Sequence, residues 1–182
     1  MTIHALNSLL GVVVIGRNEG ERLRVCLASA LASNVTANVV YVDSGSTDQS
    51  VELAKSMGCD VVALDMRIPF TAARARNEGF ARAVSLAQDL SFIQFVDGDC
   101  EIASGWLGQA MDFLTSHDTV AVACGRRRER FPRNSIYNQL CDIEWDSPVG
   151  QTRSCGGDAM MRVSAFSSVG GYRQNLIAGE EP

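Results

Sequence analysis

Two carboxylates separated by one glycine, Asp97-Gly98-Asp99, close an apolar run at 92–96. Alternate side chains of an extended chain share a face, so both carboxylates point the same way. The glycine between them presents no side chain to a closely approaching ligand. A hard divalent cation such as Mn2+ or Mg2+ takes oxygen ligands of this kind, one or two carboxylates together with substrate phosphates. An Asp-Gly hairpin turn is the competing reading of these residues. The pattern that follows is helical, however, which makes this a strand-to-helix junction and places the acidic pair where open α/β sheets bind their ligands. Asp43 ends a second apolar run at 39–42. Its carboxylate can accept from ribose hydroxyls or a base N–H, or it can cap the next helix.

The elements that must position these groups alternate in kind. Apolar runs at 11–16, 39–42, 60–64, 92–96 and 120–124 read as buried strands. Between them, apolar residues recur at helical spacing, as at Leu23, Leu27, Ala30 and Leu31, or at Leu107, Ala110, Met111 and Leu114. Ser46 and Gln49 have the spacing of a capping box for the helix after 48, and Gly58 has the place of its C-terminal stop. A helix is predicted over 71–87, and a last short one over 134–143. Segments 142–146 and 156–158 read as loops around a final strand at 159–162. Strand and helix in alternation with short connections specify an α/β fold: a mostly parallel central sheet with helices on both faces. The first strand–helix junction lacks the glycine pattern of a dinucleotide site, which counts against a dehydrogenase.

Bulk properties narrow the function further. An apolar content of 46% over 182 residues is ample for one domain core. A formal charge of −5 argues against nucleic-acid binding. The one basic run, Arg126-Arg-Arg-Glu-Arg130, reads as a solvated loop within reach of an anionic substrate. Six cysteines lie scattered, without a paired spacing or clustered histidines, so structural zinc is not expected. Several fall in apolar runs as free thiols do, which predicts a cytoplasmic chain. The amino terminus reads as one without a signal peptide.

The stretches 12–19, 41–48, 75–79 (Ala-Arg-Asn-Glu-Gly), 95–99 and 179–182 (Gly-Glu-Glu-Pro) occur in the order seen in inverting glycosyltransferases of family 2. The chain resembles that family over nearly its whole length. The resemblance implies a GT-A-like nucleotide-diphospho-sugar transferase fold. It also implies transfer of a sugar from a nucleotide-diphosphate donor, a UDP-sugar being favoured, to an acceptor hydroxyl. Arg17, Glu19, Asp43, Arg76, Asn77 and Asp97 are then expected at the nucleotide. Asp99 is expected as the direct ligand of Mn2+ or Mg2+, with Asp97 assisting, and Glu181 or Glu180 as general base. The family more often has Glu-Asp at that last place, which leaves the choice open, with Glu181 favoured. Gly157 and Asp158 are expected beside the sugar and acceptor, and Trp145 either stacks on a sugar face or fills the core.

By the same resemblance, 1–125 forms a nucleotide-binding half and 126–182 part of an acceptor-side half. The whole is a single catalytic domain truncated inside the element that holds its base. The acceptor is a saccharide or a lipid-linked molecule, the latter entailing peripheral association at the cytoplasmic face of a membrane. A nucleotide-sugar binding module and a sugar nucleotidyltransferase are the alternatives. The second needs a basic glycine-rich phosphate loop, of which residues 16–20 are a poor version.

Overall fold

Apolar residues on both sides of β1 (Leu10–Gly16) dictate the layering. Leu10, Val12 and Val14 enter one core with α1 (Glu21–Leu31) and α4 (Trp106–Ser116), while Val13 and Ile15 enter a second core with α3 (Ala72–Leu86). The computed structural model describes residues 10–152 and 154–176. Within them the remaining strands are β2 (Thr36–Asp43), β3 (Asp60–Ala63), β4 (Phe92–Asp97), β5 (Val122–Cys124) and β6 (Ala159–Arg162). The remaining helices are α2 (Ser50–Ser56), α5 (Ile136–Glu144) and α6 (Val163–Ser168).

The sheet order is β3-β2-β1-β4-β6-β5. Strands β1 to β4 run parallel, and β6 is antiparallel to both β4 and β5. The chain therefore winds outward from β1 in one direction, then returns to add β4 on its other side. Ligands of such sheets bind in the crevice opened by that reversal, beyond the carboxyl ends of the strands.

Helix α3 lies against β1 and β2 because Gly79 lets it. A Cβ at Gly79 would stand 2.4 Å from a methyl of Val13 and 2.8 Å from one of Val42. Its N-cap is Thr71, whose Oγ1 accepts from the Arg74 N–H at 3.1 Å. The predicted capping box at α2 does not form. Gln49 is the N-cap and makes no side-chain bond, while the Ser46 hydroxyl instead accepts from the Asn18 N–H. Helix α5 ends at Glu144, so the helix predicted over 134–143 forms and the overlapping loop reading of 142–146 applies only beyond Glu144. None of its residues is buried, and Ile136, Tyr137, Leu140 and Ile143 are all exposed. Among the described residues no helix is long and apolar enough to cross a membrane.

Candidate active site

Register alone brings the acidic groups to one rim. Gly16 pairs with Asp43 on one side of β1, and Ile15 pairs with Asp97 on the other. Two strand spacings of about 4.8 Å separate the outer strands, so Asp43 and Asp97 end roughly 10 Å apart on the same edge. The Gly98 N–H donates to Ile15 O at 2.8 Å, holding the turn of Asp97-Gly98-Asp99 over the end of β1. A Cβ on Gly98 would lie 3.1 Å from that carbonyl and 3.3 Å from Glu19 Cγ. Glu19 thus sits directly over the acidic turn, with Arg22 2.8 Å from its Oε2. Arg17 is exposed at the same rim, and Asp99 is exposed beyond β4.

Asp43 is more enclosed than a ribose contact requires. It is only 4% exposed. Its Oδ1 accepts from the Tyr41 hydroxyl at 3.1 Å, and its Oδ2 from the N–H groups of Gly45 and Ser46 at 3.1 and 3.0 Å. The carboxylate shapes the 44–48 loop first. Asn18, a residue to which sequence reasoning assigned no role, completes that loop. Its backbone is left-handed at φ 56°, and its Oδ1 accepts from the N–H of Thr47 at 2.7 Å and of Asp48 at 3.3 Å. The available signal was its type, because asparagine tolerates this conformation and bonds local backbone.

On the other side of the crevice Arg76 donates to Asp97 Oδ1 at 2.8 Å. This guanidinium is buried, and a Cβ on Gly157 would fall 2.3 Å from its Nη2. Gly157 is therefore room made for an arginine. Gly156, at φ +62°, does the same for Arg127, whose Nη2 lies 3.0 Å from the position of its would-be Cβ. Arg127 also stacks over Trp145 at 5.2 Å and stands 3.9 Å from Asp158. Trp145 is half-buried and belongs to neither core, so the core-filling alternative fails. The basic run is not simply solvated either: Arg126 pairs with Asp146, Arg128 with Asp142, and Arg130 with Glu101. Its alternation with the acids of 142–146 was the missed signal.

Asp158, at the start of β6, accepts weakly from the Asp97 N–H at 3.4 Å. Burial pushes its carboxyl up from 3.8 to about 6, with the Asp97 charge acting in the same direction and Arg127 opposing. Cys26 and Cys100 lie close to this cluster. Burial, reinforced by the charges of Asp158, Asp99 and Asp97, pushes both thiols far up, so neither supplies a thiolate nucleophile. Asn77, expected at the nucleotide, gives both ends of its amide to the backbone of Tyr172, at 2.9 Å each. Glu180 and Glu181 lie outside the described residues. Among the described residues no group of three or more His, Cys, Asp and Glu side chains is arranged to hold a metal ion.

A family model, described as glycosyl transferase family 2, matches residues 11–169. The chain belongs to glycosyl transferase family 2. A curated relative, the uncharacterized glycosyltransferase YibD of Escherichia coli (strain K12), is 32% identical over 181 residues, covering 92% of this chain and 49% of its own. Two solved structures share the GT-A fold. One is mannosyltransferase PcManGT from Pyrobaculum calidifontis with GDP-Man and Mn2+, at TM-score 0.66 and 21% identity, covering 94% of this chain and 49% of that one. The other is glucosyl-3-phosphoglycerate synthase from Mycobacterium tuberculosis with UDP, at TM-score 0.64 and 19% identity, covering 92% and 63%. The chain spans about half the length of the curated relatives it matches.

Proposed function

We propose that this family 2 chain transfers a sugar, with inversion, from a nucleotide-diphosphate donor to an acceptor hydroxyl, and that a divalent cation assists. The observation that carries the reading is the convergence of Glu19, Asp43, Asp97 and Asp99 on one rim at the reversal of the sheet. A nucleotide-binding half over 1–125 and part of an acceptor-side half over 126–182 belong to one catalytic domain. The structures with UDP and with GDP-Man support a nucleotide-sugar donor. A UDP-sugar is the favoured form, and the acceptor a saccharide or lipid-linked hydroxyl.

The donor set fits a cation that brings phosphate oxygens with it. Asp99 is exposed with an acceptor-only carboxylate, and the Asp97 side chain, 35% exposed, keeps an oxygen beyond the one that Arg76 holds. Asp99 would be the ligand and Asp97 its support. When bound, Mn2+ or Mg2+ would neutralise the charge developing on the departing diphosphate. Arg17, Glu19 and Asp43 border the nucleotide, Asp43 by fixing the 44–48 loop beneath it. Arg76 holds the Asp97 carboxylate in place, and Gly157, Asp158 and Trp145 border the sugar. Glu181 or Glu180 takes the proton from the acceptor hydroxyl as that oxygen bonds to the anomeric carbon. The bond from that carbon to the β-phosphate oxygen breaks on the opposite side, releasing the nucleoside diphosphate with inversion.

The test is a panel of UDP- and GDP-hexoses with Mn2+, read first by thermal shift and then by nucleotide release. A ligand that binds only the folded chain raises the melting temperature. Binding without release would favour a binding module. Asp99→Ala is expected to abolish the Mn2+-dependent part of UDP affinity, and unchanged affinity removes the metal assignment.

A further inference from the structure

Three of the four arginines at 126–130 are taken by acids. Arg126 lies 2.9 Å from Asp146, Arg128 bonds Asp142 through both arms at 2.8 and 3.0 Å, and Arg130 pairs with Glu101. Arg127 differs. Its Nε stands 3.9 Å from Asp158 Oδ2, and it makes no hydrogen bond to any described residue. Even so, it is held on two sides. Its guanidinium carbon lies 5.2 Å from the centre of the Trp145 ring. On another side Gly156 makes room for it, because a Cβ there would stand 3.0 Å from Nη2. The side chain is 40% exposed, so its five N–H donors are set in place and still reachable.

The acid beside Arg127 belongs to the rim of the site. Asp158 Oδ1 accepts from the Asp97 N–H at 3.4 Å. Its Oδ2 is 3.9 Å from Cys100 Sγ, which is itself 3.6 Å from Asp99 Oδ1. Asp158 therefore joins Arg127 to the Asp97–Asp99 turn. A planar guanidinium matches two phosphate oxygens at once. We propose that Arg127 is a catalytic residue that donates to the departing diphosphate, across Asp158 from the Asp97–Asp99 turn. The inference rests on the reading that a nucleotide diphosphate lies at that turn. Negative charge grows on the β-phosphate oxygen as its bond to the anomeric carbon breaks, so the contact is stronger in the transition state than with the bound donor. An arginine serving only as counter-ion would close on its acid, as Arg126 and Arg128 do.

The probe is UDP with Mn2+, set against UMP, which lacks the β-phosphate, both titrated into the full chain by calorimetry. Arg127→Gln is expected to weaken UDP about 10-fold, the scale of a hydrogen bond to a charged group, and UMP by less than about twofold. On whichever hexose nucleotide the unsubstituted chain consumes fastest, kcat should fall about 10²-fold, as on removal of one preorganised donor. Arg127→Lys keeps the charge without the fork and should fall between the two chains. Gly156→Ala displaces the guanidinium and should shift UDP, and not UMP, in the same direction. Should Arg127→Gln lose its fold by circular dichroism, Arg127→Lys and Gly156→Ala carry the same comparison. Losses that are equal for UDP and UMP overturn the inference. So does a UDP loss that vanishes in an Asp158→Asn background, because Arg127 would then act only by offsetting that carboxylate. A chain that binds neither UDP nor GDP refutes the nucleotide reading itself, whereas UDP affinity and kcat that ignore Arg127 sink this inference alone.

Discussion

Replacing Asp158 by Asn separates charge from shape at the centre of the site. The side chain is 16% exposed, stands 3.9 Å from Arg127, and has its carboxyl raised from 3.8 to about 6, chiefly by burial. Between those two values the folded chain keeps a proton that the unfolded chain has released. Stability therefore falls as pH rises through this window, and the full cost is present above it. At 1.36 kcal/mol per unit the cost reaches about 3 kcal/mol near pH 8 and about 1 kcal/mol near pH 4.5. Asn keeps the size and the acceptor oxygen but carries no charge. Any loss from the weakened Arg127 pairing at pH 8 reduces the gain there, so about 2 kcal/mol is an upper figure for the difference between the two pH values. Urea unfolding of both chains, without nucleotide or divalent cation, followed by fluorescence of Trp106 and Trp145, measures it. Asp158→Asn should be the more stable chain near pH 8, with the advantage shrinking toward pH 4.5. A stability difference that is the same at both ends refutes the reasoning, because it would mean that Asp158 carries no pH-dependent burial cost.

Three further outcomes follow from the same geometry. Arg127→Gln removes the cation that opposes the rise at Asp158, so the pH window of that carboxyl should move upward, measured by the same unfolding series. Gly79→Ala puts a carbon 2.4 Å from a Val13 methyl, and should lower stability by about 1–3 kcal/mol through overpacking between α3 and the sheet, read as a reduced urea midpoint. Asn18→Ala leaves a left-handed backbone without its tolerant residue and frees the Thr47 N–H, which should cost about 1–2 kcal/mol and weaken UDP affinity, read by calorimetry.

Local pattern made the scaffold legible. Residues 11–16 read as buried on both faces, and β1 does divide its side chains between two cores. The strand-to-helix passage at Asp97-Gly98-Asp99, from β4 to α4, is legible because the apolar run before it and the helical pattern after it are both short-range signals. What was not legible depends on distant partners. The direction of β6 has no local signature, so its antiparallel pairing with β4, which delivers Asp158 to Asp97, could not be read. The Ser46–Gln49 spacing suggested a capping box, but Asn18 and Asp43 take hold of the loop first, from other strands. In α1 the periodic set included Leu31, which is 40% exposed, while Cys26 takes the buried position. Arg127 and Asn77 have their partners 31 and 95 positions away, and nothing in either residue's neighbourhood announces the contact. Helix α5 was legible as a helix, but its apolar residues Ile136, Leu140 and Ile143 are exposed, where amphipathic spacing ordinarily marks a face turned to the core.

The reversal of β6 has one more consequence. Cys124 at the end of β5 and Ala159 at the start of β6 are paired, level with Phe95 of β4. Residues 125–158 therefore depart from and rejoin the sheet at one place, beside Asp97. An excursion that leaves and returns at one point can change in length without moving β1 to β4, because it takes no part in their pairing. On the proposed reading, in which 126–182 lies on the acceptor side, grafting it between family members is expected to alter what receives the sugar so long as Gly157 and Asp158, which meet Arg76 and Asp97, are kept.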